Sequence, residues 1–137
     1  MSRENVEIVR ELIDANRSDD LESRIEATVA LWDASCEYTS VTAALEPNTY
    51  RGHDGLRRYL GDLAERWAEW RSEVEDVFEA GQDTVLATFR FRATGKRSGA
   101  PIEARLGVVF VLSDGKVLRG HTYQSRDEAL EAVGLRE

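Results

Sequence analysis

The only cysteine, Cys36, leaves no possibility of an internal disulfide. It sits at the start of an expected strand among apolar neighbours, so it reads as a reduced, buried thiol rather than a nucleophile. No cluster of Cys and His has metal-ligand spacing, so no metal or cofactor is expected. No apolar run approaches the length of a membrane span, and Met1-Ser2-Arg3-Glu4-Asn5 is too polar for a secretory signal. The expected location is cytoplasmic. Positive charge is in deficit, with 18 Lys and Arg against 26 Asp and Glu and a net charge of −8. That field opposes unaided binding to DNA, RNA or an anionic membrane, while leaving room for a local basic patch. Repeats, low-complexity tracts and linkers are also missing. Residues 1–137 are therefore expected to form one domain, long enough to bury a core.

What is present is strong alternation between Thr84 and Tyr123. Val85, Ala87, Phe89, Phe91 and Ala93 alternate with Thr84, Leu86, Thr88, Arg90, Arg92 and Thr94. Ala104, Leu106, Val108, Phe110 and Leu112 follow, then Leu118, Gly120 and Thr122. A period of two gives three strands with one apolar face that must be covered. The opposite face carries Arg90, Arg92, Glu103, Arg105, Arg119 and His121. Gly81-Gln82-Asp83, the loop from Gly95 to Pro101, and Ser113-Asp114-Gly115 are the turns.

Helical spacing dominates the first half. Val6, Val9 and Ile13, widened by Ile8 and Leu12, make a first amphipathic helix that Ser2 can cap. The polar stretch from Asn16 to Asp20 breaks it, and Asp19 or Asp20 starts a second. Leu21, Ile25, Val29 and Trp32 give that second helix one face, and the pair reads as a helical hairpin. Cys36 to Val41 is a short strand with Cys36, Tyr38 and Ser40 on one side. Thr42 to Thr49 is a loop. A third helix carries the stripe Leu56, Tyr59, Leu60, Leu63 and Trp67, and Arg71 to Glu79 is a strand of poor alternation. Ser125 with Glu128 forms a capping box before a short last helix that Gly134 stops. Helix, helix, strand, helix, four strands and a helix make an α+β protein. A strongly bent antiparallel sheet wrapped around three helices forms a cone with a cavity inside.

The stretches Glu4 to Arg10, Tyr50-Arg51-Gly52-His53-Asp54-Gly55-Leu56-Arg57, Asp114 to Arg119 and Ser125 to Leu135, in this order and spacing, resemble the nuclear transport factor 2-like superfamily. The branch resembled is the SnoaL-like and ketosteroid-isomerase-like one, over nearly the whole chain. That resemblance implies the cone fold and a small-molecule pocket. Ketosteroid isomerases combine an aspartate base with a tyrosine and a protonated aspartic acid. Laid on this chain by pattern, the tyrosine falls at or near Leu12, the base at or near Tyr38 and the neutral acid at or near Val108. The aspartate of SnoaL-type cyclases falls about at Thr122. None of these residues matches, so neither mechanism carries over.

The expected pocket residues are Trp32, Tyr38, Tyr59, Trp67, Phe89, Phe91, Val108, Phe110 and Thr122. They suit a small, mostly apolar ligand. Tyr38 is the best catalytic candidate, as a hydrogen-bond donor to a carbonyl or enolate oxygen, although a core tyrosine would look the same. His53 suits a turn, His121 the outer face, and Glu46 or Asn48 a loop at the cavity mouth. Arg90, Arg92, Arg105, Val109, Arg119, His121 and Tyr123 fit either a solvated face or a homodimer interface, the latter favoured by the mix of arginine with apolar groups. An isomerase, cyclase or dehydratase, a non-catalytic binder of small molecules and a dimerising accessory protein are the functions left open.

Overall fold

The computed structural model describes residues 2–15, 20–42 and 47–135. The elements run α1 (Ser2–Ala15), α2 (Leu21–Val29), β1 (Trp32–Ser40), β2 (Asn48–Arg51), α3 (Gly52–Arg66), β3 (Trp67–Gly81), β4 (Thr84–Gly95), β5 (Pro101–Ser113), β6 (Lys116–Tyr123) and α4 (Arg126–Ala132). The strands form one curved, open sheet in the order β2-β1-β6-β5-β4-β3. Its pairings are antiparallel except between β1 and β6, which run parallel. Those two strands are distant in sequence, so no hairpin dictates their direction.

Turn chemistry sets the long strands. Asp114 (φ 51) and Gly115 (φ 79) both take the left-handed backbone that joins β5 to β6 in a tight hairpin. Val85, Ala87, Phe89, Phe91 and Ala93 of β4 are buried on the concave face, opposite Phe110, Val108, Leu106, Ala104 and Ile102 of β5. The faint alternation of β3 has a physical cause. Register irregularities lie at Trp67/Glu69, Val74/Asp76 and Glu79/Gly81. Trp70, Ser72 and Val74 pair with inward residues of β4 before the second bulge, and Val77 does so after it, so the inward parity changes mid-strand.

Three expectations are corrected. Trp32 does not continue the face of the second helix. α2 ends at Val29, the Ala30 N–H closes onto the Glu26 carbonyl, and Trp32 opens β1 opposite Val117. Trp67 likewise leaves the third helix. Its backbone is extended (φ −116, ψ 133), and it begins β3. In both places the residue after the last turn happens to fall on the helical spacing. Third, Leu118 is not the inward residue of β6. A register shift between Val111 and Leu112 places Val117 opposite Leu112, and Val117 is the fully buried one. The end of the expected Thr42 to Thr49 loop belongs to β2, and residues 16–19 and 43–46, with Glu46, lie outside the described residues.

α1, α2 and α3 cover the concave face. Two apolar clusters form there. One holds Val9, Leu12, Ile13, Trp32, Leu56, Phe89, Val108 and Phe110; the other holds Leu60, Leu63, Trp67, Phe91 and Leu106. The convex face has its own small core, in which α4 covers Leu86 and Ala80 with Ala129 and Leu130. Ser125 caps α4 by accepting from the Glu128 N–H at 3.1 Å. Gly107 makes this docking possible, since a Cβ there would stand 2.7 Å from the Ala129 Cβ. Full burial of a leucine such as Leu86 is worth about 1.5–3 kcal/mol.

Candidate functional site

Where the two concave clusters meet, packing stops short of closure and leaves a cavity of about 90 Å³. Its wall brings together Trp32, Tyr38, Tyr59, Phe89, Phe91, Val108, Phe110 and Thr122. Trp67 is not part of that wall. Its indole N–H donates to the Thr42 carbonyl at 3.0 Å, and its ring meets Phe91 edge-on at 5.9 Å. Leu12, Ile13, Thr28, Thr42, Leu56, Leu60, Leu63, Trp70, Ser72 and Leu106 complete the lining. Thr28 stands three residues after Ile25 and four before Trp32, so helical spacing alone could have flagged it. Trp70 and Ser72 were hidden by the bulges of β3.

The four positions at which the resemblance would put catalytic groups all line this cavity: Leu12, Tyr38, Val108 and Thr122. They carry no carboxylate. Among the described residues of the wall, the ionisable side chains are the phenols of Tyr38 and Tyr59. Burial pushes the Tyr38 phenol well above the ordinary range, against a smaller opposing effect of its bond to Thr122. Tyr38 is therefore a neutral hydroxyl at physiological pH.

The polar groups of the wall are largely paired with one another. The Tyr38 hydroxyl and Thr122 Oγ1 are 2.8 Å apart. Thr42 Oγ1 lies 2.9 Å from Ser40 Oγ and 3.0 Å from the Tyr59 hydroxyl. The aromatic rings pack in sequence, Trp32 to Tyr38 at 5.4 Å, Tyr38 to Tyr59 at 4.9 Å and Tyr59 to Tyr50 at 5.3 Å between centroids. Two buried polar atoms of the wall residues have no hydrogen-bond partner among the described residues: Trp32 Nε1 and Thr28 Oγ1. A glycine admits this arrangement. A Cβ at Gly120 would lie 2.8 Å from Trp32 Cη2 and 2.9 Å from Tyr38 Cδ1.

Other candidates fall elsewhere. His53 Nε2 donates to the Trp32 carbonyl at 2.8 Å and ties the start of α3 to the start of β1. Cys36 is buried and free, and burial raises its thiol, the opposite of nucleophile activation. Asn48 is exposed at the start of β2. His121 lies on the convex face, stacked on Tyr123 at 4.4 Å, and its imidazole is pushed down by partial burial. On that face Arg90 and Arg105 each reach Glu75 at 3.7 Å, and Arg92 reaches Glu73 at 3.1 Å and Glu103 at 3.0 Å. The described residues contain no group of three His, Cys, Asp or Glu able to hold a metal, and no helix long and apolar enough to cross a membrane.

Trp70 and Ser72 also line an outer groove of about 920 Å³, together with Leu21, Arg24 and Ile102. The Arg24 guanidinium sits over the Trp70 ring at 4.7 Å. Trp70 and Ser72 are thus shared by the inner cavity and the groove.

Known structures share this architecture. An NTF2-like protein of unknown function from Burkholderia pseudomallei superposes with a TM-score of 0.76 at 18% identity, over 98% of this chain and 99% of that one. A protein of ketosteroid-isomerase-like fold from Catenulispora acidiphila, in complex with trimethylamine, gives 0.73 at 16% identity over 94% and 93%. A putative SnoaL-like polyketide cyclase from Jannaschia gives 0.74 at 17% identity over 99% and 95%. At these identities the likeness is one of fold. Among curated proteins none matches the chain. The sequence pattern of the SnoaL-like domain matches residues 9–120, well over half of the chain. On that match, the chain belongs to the SnoaL-like domain family.

Proposed function

We propose that this protein binds a small, neutral, mostly apolar molecule in the cavity between the helices and the concave face of the sheet. The observation that carries this reading is the wall itself, which is apolar and aromatic with a few hydroxyl and indole groups and no ionised side chain among its described residues. A charged ligand would lose its hydration there without a compensating charge.

The test is a titration of the full chain with cyclopentanone followed by methyl NMR. Methyl groups of Leu12, Leu60 and Val108 shift if the cavity fills, while Leu86 beneath α4 and Leu130 on its inner side stay still. No shift, or shifts only beneath α4, rejects the reading.

A second reading is favoured by one specific feature, the neutral Tyr38 phenol bonded to Thr122. It could donate to a carbonyl oxygen as negative charge develops, in an isomerase, cyclase or dehydratase reaction. On that reading Tyr38→Phe and Thr122→Val each lower turnover strongly. On the binding reading, the molecule recovered is chemically the one that was loaded.

We also propose a homodimer through the part of the convex face formed by β1 and β6. Arg90, Arg92 and Arg105 are engaged with carboxylates of their own chain, and Val109 and Tyr123 pack partly against α4. A shallow groove remains beside Val111, Arg119 and His121. Light scattering should report a dimer that Val111→Lys dissociates; a monomeric parent protein rejects the pairing. The free Cys36 thiol suits a reducing compartment, in keeping with a cytoplasmic location.

A further inference from the structure

Thr28 and Trp32 pose a problem that the protein does not solve by itself. Both side chains are more than nine-tenths buried, at 5% and 4% exposure. Both line the same cavity. Thr28 Oγ1 and Trp32 Nε1 have no hydrogen-bond partner among the described residues. An indole N–H can only donate, so its complement must be an acceptor. A threonine hydroxyl can supply a second proton to the same acceptor. Tyr38, Thr122, Thr42 and Tyr59 already have partners, so among the fully buried polar side-chain atoms of the wall the unmet demand falls on Thr28 and Trp32.

We infer that the cavity recognises a carbonyl oxygen, taken by the Trp32 N–H and the Thr28 hydroxyl. The ligand class is a neutral ketone, aldehyde, ester or amide with a small apolar body. This inference rests on the binding function proposed above and specifies which chemistry that site accepts. A carbonyl oxygen has two lone pairs, enough for both donors. With the oxygen held there, the apolar body lies against Leu60, Phe89 and Val108. The cavity's 90 Å³ is below the ~150 Å³ of an apolar cavity that takes benzene, so the body is at most about one small ring.

The experiment compares cyclopentanone with methylenecyclopentane, which replaces the oxygen by CH2 at nearly the same shape. Affinities are measured by NMR on the full chain for the parent protein, Trp32→Phe and Thr28→Val. The change in the ratio of the two affinities cancels the different hydration of the probes. Trp32→Phe should weaken the ketone about tenfold relative to the hydrocarbon, and Thr28→Val should act in the same direction. In the parent protein the indole N–H signal that moves on adding the ketone should be the one missing from Trp32→Phe. Equal effects on both probes in both variants overturn the inference while leaving the cavity as a binding site. A crystal structure showing a water on Trp32 Nε1 that cyclopentanone does not displace also overturns it. Binding of neither probe removes the cavity as a ligand site and this inference with it. Thr28→Val is nearly isosteric, so the test stands if Trp32→Phe fails to fold.

Discussion

Gly120→Ala isolates the contact that keeps the cavity open. The added Cβ would stand 2.8 Å from Trp32 Cη2 and 2.9 Å from Tyr38 Cδ1. Carbon atoms settle at roughly 3.5–4.0 Å, so each ring must retreat by about 0.6–1.2 Å. Gly120 is not among the residues of positive φ, so the backbone accepts alanine without strain. Alanine in a strand even recovers roughly 0.5–1 kcal/mol of chain entropy. Against this stands an overpacking cost of about 1–3 kcal/mol. The net loss should be on the order of 1 kcal/mol, or about 3–5 °C in Tm for a domain of this size.

The effect on binding should be larger than the effect on stability. The space into which the two rings can withdraw is the 90 Å³ cavity itself. A ligand then has to displace them again, weakening cyclopentanone by about tenfold or more. Gly107→Ala is the control. Its Cβ would meet Ala129 Cβ at 2.7 Å and the Ser125 carbonyl oxygen at 3.1 Å, on the far side of the sheet. That variant should lose a similar amount of Tm yet bind the probe unchanged. Thermal melts and NMR titrations on both proteins decide the matter. A Gly120→Ala protein that melts higher and binds as before would refute the reasoning.

Three further outcomes follow from other parts of the molecule. The Tyr50 hydroxyl donates to Asp62 at 2.8 Å, and burial, aided by that carboxylate, pushes its phenol up to about 12. An unfolded tyrosine releases its proton near pH 10. Stability from Tyr50 is therefore complete below pH 10 and lost as pH rises from 10 to about 12. Tm measured across that range should fall, and fall less steeply in Tyr50→Phe. Leu86→Ala should cost about 2–5 kcal/mol by denaturant unfolding, because α4 buries it completely; a cost under 1 kcal/mol would mean that α4 is not firmly docked. Trp70→Ala should join the cavity to the outer groove and speed both entry and exit of cyclopentanone, seen as faster exchange in NMR line shapes.

Legibility in the sequence followed the regularity of the backbone. β4 and β5 can be read because they pair with each other across an unbroken stretch, with their turns marked by Asp83 and by Asp114-Gly115. β3 cannot, because its bulges exchange inward and outward residues halfway along. The ends of α2 and α3 are hidden for another reason. Trp32 and Trp67 keep helical spacing from the preceding turn although each begins a strand. For Trp32 the error did not matter to the site, since an inward strand residue at that place reaches the same interior. For Trp67 it did, and the ring turned away from the cavity to bond the Thr42 carbonyl. The docking of α4 on the convex face left no trace in the alternation, since a buried Leu86 and an exposed Arg92 share one parity.

The cavity also explains how one architecture can keep a site while changing its chemistry. Leu12, Tyr38, Val108 and Thr122 stand on α1, β1, β5 and β6, and their side chains converge on one interior space. A carboxylic acid at any of these places would be desolvated, and its proton affinity raised, by the apolar groups that surround Val108 now. With an alkyl group at Leu12 and Val108 and a hydroxyl at Tyr38 and Thr122, the same walls exert no such effect. They hold fixed dipoles, and the unmatched ones are Trp32 Nε1 and Thr28 Oγ1. If that substitution alone set the chemistry, Val108→Asp should create a carboxylic acid that titrates above the usual aspartate range, measurable by carbon-13 NMR of the labelled carboxyl. An ordinary value near 4 would mean that water reaches Val108 freely, and the enclosed apolar cavity on which the proposed binding rests would not exist.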